Sequence, residues 1–274
     1  MALATLAIVL TAAVLHALWN LLIARARDTQ ATTALAIAIG VLLATPFAVL
    51  RWRVAAEAWP WIAASSLAEL VYFWLLTTAY RRAELSLVYP IARGVAPVIV
   101  LVVGVTLLGA GTSLAQAAGV ALVGLGVVLV RGIRGGTKWV DIGMALALAV
   151  SIASYTLIDK QGVQHADPIT YVTLILVVPA IASLAFVAAN GGVARLRAAM
   201  TGSALGGGAA SIAAYGLVLI ALTSAPAASV AAVREVSVVF AAIFGAVFLR
   251  EGVGVVRLVG AIVVAGGIAL IVLG

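Results

Sequence analysis

Residues 168–189 read PITYVTLILVVPAIASLAFVAA, 22 positions without one charged side chain. A helix needs about 20 consecutive apolar residues to cross the ~30 Å hydrocarbon core of a bilayer. The apolar character here is continuous, without the alternation that a lipid-facing barrel strand requires, so the run is read as a membrane-crossing helix. Working outward in both directions, the chain keeps returning to the same pattern. Apolar runs occupy 2–24, 31–50, 59–80, 85–108 and 112–131, then 139–158, 168–189, 202–223, 226–249 and 253–273. Charged or turn-forming clusters such as Arg51–Glu57, Arg131–Lys138, Asp159–Asp167 and Gly191–Met200 separate them. The first run lacks a basic leader and a convincing small-residue cleavage site, so it is read as span one rather than as a signal peptide.

Composition agrees with this reading. Of 274 residues, 65% are hydrophobic and 9% charged, against roughly 25% charged in an ordinary soluble domain. No water-soluble core could hide that much apolar surface, which excludes a soluble enzyme. Ten spans of about 20 residues and nine connections of about 7 use the whole length, leaving no room for an extramembrane domain. The net charge is +7, yet the basic residues stand singly or in pairs between apolar runs, as they do in membrane-protein loops. Nucleic acid is therefore not an expected partner. With no cysteine, disulfides, thiolate metal sites and a cysteine nucleophile are excluded.

The two halves of the chain repeat. Gly104, Gly111 and Gly119 precede Gly245, Gly252 and Gly260 by 141 residues, and the same offset carries Arg93 onto Arg234. Near the front of each half, Ala17-Leu18-Trp19-Asn20-Leu21 reads against Ala153-Ser154-Tyr155-Thr156-Leu157. Four matches at one offset, one of them an arginine inside an apolar run, point to duplication rather than to the commonness of glycine. Five spans per half is odd, so the second copy must enter the membrane in the opposite sense, and inverted repeats with a site at their interface are a transporter architecture. The expected fold is thus all-α and polytopic: ten transmembrane helices in two inverted five-helix repeats, 1–134 and 135–274.

At this point the sequence resembles a known family. His16-Ala17-Leu18-Trp19-Asn20 in span one, Ala221-Leu222-Thr223-Ser224-Ala225-Pro226-Ala227-Ala228-Ser229 at spans eight and nine, and Phe248-Leu249-Arg250-Glu251-Gly252 closing span nine look like EamA-type members of the drug/metabolite transporter superfamily. The corresponding Leu107-Leu108-Gly109-Ala110-Gly111 of the first half lacks the charges. The resemblance covers essentially the whole chain. It implies a carrier of small metabolites, with amino acids, drugs and nucleotide precursors among the family's substrates, and it implies cytoplasmic termini.

Ionisable groups inside a span cost at least about 2.5–3.5 kcal/mol each, so they should face the interior and have partners. Four stand well inside: Glu69, Arg93, Arg234 and Glu235. Arg93 has Tyr89 one turn before it, between Pro90 and Pro97; Arg234 shares a face with Ser237. Two guanidiniums at equivalent repeat positions offer planar forks to a carboxylate or phosphate, which favours an anionic or zwitterionic substrate. The competing reading is that Glu69 and Glu235 neutralise the arginines as structural pairs. Glu69 lies beside Ser65, Ser66 and Tyr72. A carboxylate in hydrocarbon holds a proton unless a cation sits beside it, so Glu69 is the first candidate for proton coupling and Glu235 the second. Since Glu235 follows Arg234 directly, a continuous helix would turn it about 100° away. His16, Trp19 and Asn20 share a face of span one, with Tyr155 as repeat partner in span six. Aromatic and amide groups there could stack on and hydrogen-bond a substrate, or serve as interhelical glue.

The candidate substrate-binding residues are therefore His16, Trp19, Asn20, Tyr72, Tyr89, Arg93, Tyr155 and Arg234. No catalytic constellation, metal quartet, heme motif or nucleotide loop is present, so no cofactor and no enzymatic activity are expected. The expected function is secondary active transport of a small amino acid-like or other anionic or zwitterionic metabolite, in the export direction, by alternating access with proton coupling. The rival is a polytopic enzyme acting on a lipid-linked substrate. Expected partners are the small-molecule substrate, protons and the lipid bilayer, with the chain a monomer or weak homodimer in the inner or plasma membrane. Lys and Arg concentrate in the odd-numbered connections, eleven against three. Positive-inside reasoning would place both termini outside, opposite to what the resemblance implies, and the side stays open at this stage.

Overall fold

The computed structural model describes residues 1–82, 85–131, 139–240, 243–244 and 255–274, with the side chains at 77, 79–82, 85–87, 89–90, 130–131 and 257–258 outside that description. Among the described residues the regular structure is helical: α1 (Leu3–Ala24), α2 (Thr29–Leu50), α3 (Ala58–Arg82), α4 (Leu85–Thr106), α5 (Leu114–Arg131), α6 (Trp139–Gly162), α7 (Pro168–Ala189), α8 (Gly192–Ala199), α9 (Gly202–Ser224), α10 (Ala227–Arg234) and α11 (Val255–Leu273). Five of them, α1, α2, α6, α7 and α9, are long and apolar enough to cross a membrane.

The helix ends follow from local chemistry. Asp167 caps α7, accepting from the N–H groups of Ile169 and Thr170, and Pro168 fills the first helical position, where no N–H is needed. Asp28 caps α2 through Ala31 N–H. Its carboxyl also takes two bonds from Arg195 of α8, at 2.8 and 3.1 Å. Those bonds, ahead of the cap itself, hold Asp28 below the usual carboxylate range. After α4 the chain reverses at Gly109 with φ +63°, a conformation that favours glycine, and Ala110 N–H returns to the Gly104 carbonyl.

α1 packs on α9, α2 lies between α7 and α9, α4 packs on α5 and α6, α3 on α6 and α7, and α5 on α11. Several of these contacts bring backbone against backbone. A Cβ at Gly94 would fall 2.6 Å from the Gly124 carbonyl, and one at Gly119 would fall 2.6 Å from that of Gly267, so α4–α5 and α5–α11 approach as closely as small residues allow. At one end of the bundle the 51–57 and 163–167 connections are tied together by Ala55 N–H to His165 C=O and by Asp167 N–H to Arg53 C=O. The outside is apolar, with Leu42, Phe47, Ile181, Leu205 and Ile262 all more than half exposed, the surface expected of helices facing lipid. Exposed tryptophans mark both ends: Trp52 and Trp59 at the tied end, Trp139 at the other.

Two expectations need correction. The 191–200 connection contains the helix α8, because Ala-Arg-Leu-Arg-Ala-Ala are good helix formers and Leu196 and Ala199 pack on a cluster of Ala31, Leu35 and Val187. The expected unbroken run 226–249 is interrupted. α10 stops at Arg234, and the N–H groups of Glu235 and Val236 bond three residues back, to Ala232 and Val233, before helix resumes at 237–240. The rest of that run, including Gly245 and Arg250-Glu251-Gly252, lies outside the described residues.

Candidate functional site: a buried ionic centre

The interruption falls at a buried carboxylate. Tightening to three-residue hydrogen bonds raises the turn between neighbours from about 100° to about 120°, so it is the reach of the side chains, not the backbone rotation, that sets Glu235 beside the arginine preceding it. Its Oε1 lies 3.7 Å from Arg234 Nε and its Oε2 3.0 Å from Arg93 Nε. Glu235 is fully buried, and Arg93 and Arg234 are 3% and 6% exposed. One carboxylate thus contacts two guanidiniums. Among the described residues neither Glu235 oxygen makes an aligned hydrogen bond, nor does Arg234 Nε. The three groups are held by charge and packing.

From this core the polar chain extends both ways. Arg93 Nη2 donates to His16 Nε2 at 2.6 Å and lies 3.4 Å from Ser237 Oγ. A guanidinium cannot accept, so His16 Nε2 is the acceptor and its ring is neutral, with the proton on Nδ1. Trp19 stands edge-on to His16, ring centroids 5.3 Å apart. On the other side Arg234 reaches the Tyr155 hydroxyl at 3.5 Å and lies 5.8 Å from its ring centroid. Tyr155 in turn meets the rings of Tyr72 and Tyr215.

Of the sequence-predicted residues, His16, Trp19, Arg93, Tyr155, Arg234 and Glu235 therefore form one connected cluster drawn from α1, α4, α6 and α10. Tyr72 joins it through Tyr155. Asn20 is half-buried and gives its amide N–H to the carbonyl of His16, 2.7 Å away on its own helix. The side chain of Tyr89 lies outside the described residues. Glu69 is 4% exposed, and it accepts from Tyr215 at 2.8 Å instead of pairing with Arg93. The same Tyr215 hydroxyl is 2.6 Å from Asp159 Oδ2, and Asp159 Oδ1 also takes bonds from Ser65 and Tyr171. Asp159, read from sequence as the start of a connection, lies buried within α6 instead, and Tyr215 is not among the residues the sequence singles out. The usable signal for Asp159 is its place one turn after Tyr155, on the same face; Tyr215 offers none beyond being a phenol inside an apolar run.

A small cleft opens elsewhere, at the tied end, between Gly104, Gln116, Lys160 and Ser229. None of the predicted site residues lines it. Lys160 Nζ is spent on the carbonyls of Leu222 and Ala225 at the end of α9. Among the described residues no three His, Cys, Asp or Glu side chains gather as a metal ion would require.

A bundle of apolar helices with an apolar exterior and a buried ionic centre is an integral membrane protein built around a polar site. The profile described as "EamA-like transporter family" matches residues 140–273, so the second half of the chain is similar to that family of transporters. No curated protein matches. A solved structure described only as "Crystal structure of protein" aligns over 100% of this chain and 98% of its own, with a TM-score of 0.78 and 17% identity. At that identity the likeness concerns the fold.

Proposed function

We propose that the chain is a secondary active transporter that exports a small anionic or zwitterionic metabolite by alternating access. In this reading ten spans, arranged as inverted repeats 1–134 and 135–274, rock about the ionic centre. The observation that carries it is the buried Arg93–Glu235–Arg234 group. Two buried guanidiniums gathered on one carboxylate offer planar forks to a substrate carboxylate, and Trp19, Tyr72 and Tyr155 stand nearby to stack on the remainder. Repeat-related arginines meeting on one carboxylate also fit an interface between two inverted halves. Glu69, with no arginine bonded to it, is assigned the coupled proton, and Glu235 the role of holding the arginines.

The test is counterflow in liposomes containing the purified chain, using a panel of amino acids and organic anions. Saturable, trans-stimulated uptake of at least one anionic or zwitterionic compound is expected. Conversion of the compounds to new products, or uptake confined to cations, would overturn the reading. Glu69→Gln is expected to abolish accumulation driven by a pH gradient while sparing exchange at equal pH; a variant that still concentrates substrate removes Glu69 from coupling.

A further inference from the structure

Tyr215 carries a single hydroxyl proton, yet its oxygen lies 2.8 Å from Glu69 Oε1 and 2.6 Å from Asp159 Oδ2. Both distances are those of strong O–H···O bonds, and one hydrogen cannot lie along both. If both acids were ionised, the second contact would set two lone-pair-bearing oxygens together with no hydrogen between them, beside two like charges. Among the described residues nothing donates a second hydrogen into these two contacts. Ser65 and Tyr171 both donate to the other Asp159 oxygen, at 2.6 and 3.3 Å. Lys160, next in sequence, is turned to the end of α9. Arg234 of α10 is engaged with Glu235 and the Tyr155 hydroxyl.

We infer that Glu69, Tyr215 and Asp159 form a proton relay that holds one proton shared between the two acids. The hydrogen bonds assign its resting arrangement. Asp159, with three donors around it, is the carboxylate; the Tyr215 hydroxyl donates to Asp159; Glu69 carries the proton and donates to the Tyr215 oxygen. Transfer is a concerted pair of hops: the Glu69 proton moves to the Tyr215 oxygen as the Tyr215 proton moves to Asp159 Oδ2. One O–H bond breaks and one forms at each step, Glu69 ends ionised, Asp159 ends protonated, and the tyrosine is neutral before and after.

The relay has a direction across the protein. Ser65, which bonds Asp159, lies one helical turn nearer the start of α3 than Glu69, and Asp159 is three residues from the end of α6. Both of those helix ends belong to the tied end of the bundle. Asp159 is thus the outer station, and Lys160 and Gln161, which follow it, line the cleft there. Glu69 is the inner station, toward Tyr72, Tyr155 and the ionic centre. Asp159 and Tyr215 are by this account positioning and relay residues for the coupling role given to Glu69 above. The proposal rests on that role for its consequence in transport, but its test reads the proton itself, so a chain that fails to transport can still pass.

The measurement is infrared difference spectroscopy of the full chain in lipid nanodiscs at neutral pH, following the C=O stretch of a protonated carboxyl. The wild-type chain is expected to show the band, Glu69→Gln to abolish it, and Asp159→Asn and Tyr215→Phe each to displace it, since both alter what the Glu69 proton is bonded to. Should Asp159→Asn not fold, Tyr215→Phe, which keeps the ring, decides. Absence of the band in the wild type, its persistence in Glu69→Gln, or a band indifferent to the relay substitutions would overturn the proposal.

Discussion

Arg234 ends an eight-residue helix, and a cation is favoured there because the last carbonyls of a helix carry partial negative charge. Arg93, in mid-helix, has no such help and leans on Glu235 and His16. The two arginines therefore differ in local setting while sharing a counter-charge. Arg93→Ala and Arg234→Ala are each expected to lower uptake of an anionic or zwitterionic substrate at least about tenfold, with Arg→Lys recovering only part because an ammonium lacks the fork. Liposome uptake at matched protein content checks this, and wild-type rates in both alanine variants would remove the pair from the substrate path. Glu235→Ala should instead fail to yield stable protein, since it strands two buried cations at a cost of several kcal/mol. The four charged positions were legible in sequence because each lies inside an apolar run. The competing reading, in which Glu69 and Glu235 neutralise the arginines, holds for Glu235; that this one carboxylate contacts both arginines was not legible, because Arg93 and Glu235 lie far apart along the chain and meet only through helix packing. Glu69 meets Tyr215 instead of an arginine.

The helices themselves were easier to read. Each apolar run is bounded by charge, proline or glycine, and the described ends of α1, α2, α3, α7 and α9 fall within two residues of the runs. α8 was hidden because it is short and carries two arginines, so it lacks the apolar length that revealed the others. One of those arginines fastens it to α2, and pH should expose that joint. A carboxyl held below its usual range adds stability that is fully present above the unfolded value near pH 4 and is lost as pH falls through the lower, folded value. Asp28→Asn keeps a capping side chain and is expected to cost under about 1 kcal/mol at neutral pH, a deficit that vanishes in acid. Asp28→Ala adds about 1 kcal/mol by losing the cap. Thermal unfolding in detergent against pH measures both. The α4–α5 contact makes a sharper demand. A Cβ at Gly124 would fall 2.5 Å from the Gly94 carbonyl, so Gly124→Leu should lower stability by about 1–3 kcal/mol or more, whereas Gly143→Ala, where a Cβ meets nothing within 4 Å, should be neutral.

At the scale of the molecule, the ionic centre and the acid–tyrosine relay are successive parts of one polar path from Trp19 to Asp159, enclosed by helices whose outer faces are apolar. Such a path can be reshaped only by moving helices, and the regular helix is interrupted after Arg234, beside the ionic centre. The tryptophans add a different consequence. Trp139 opens α6, and Trp52 and Trp59 stand at the end of the bundle where α6 finishes. Such rings settle at the boundary between lipid tails and headgroups. The 24 residues of α6 rise about 36 Å, more than the ~30 Å of an average hydrocarbon core, so the helix must tilt or the lipids must stretch to meet it. The chain is consequently a gauge of bilayer thickness. Reconstituted across phosphatidylcholines of increasing acyl length, its transport rate should pass through a maximum on the thicker side of average. If transport runs by the proposed alternating access, the tilt that buries the excess length in thin bilayers would be drawn from those helix motions, and mismatch costing fractions of a kcal/mol per Å would appear as slower turnover before it appeared as unfolding.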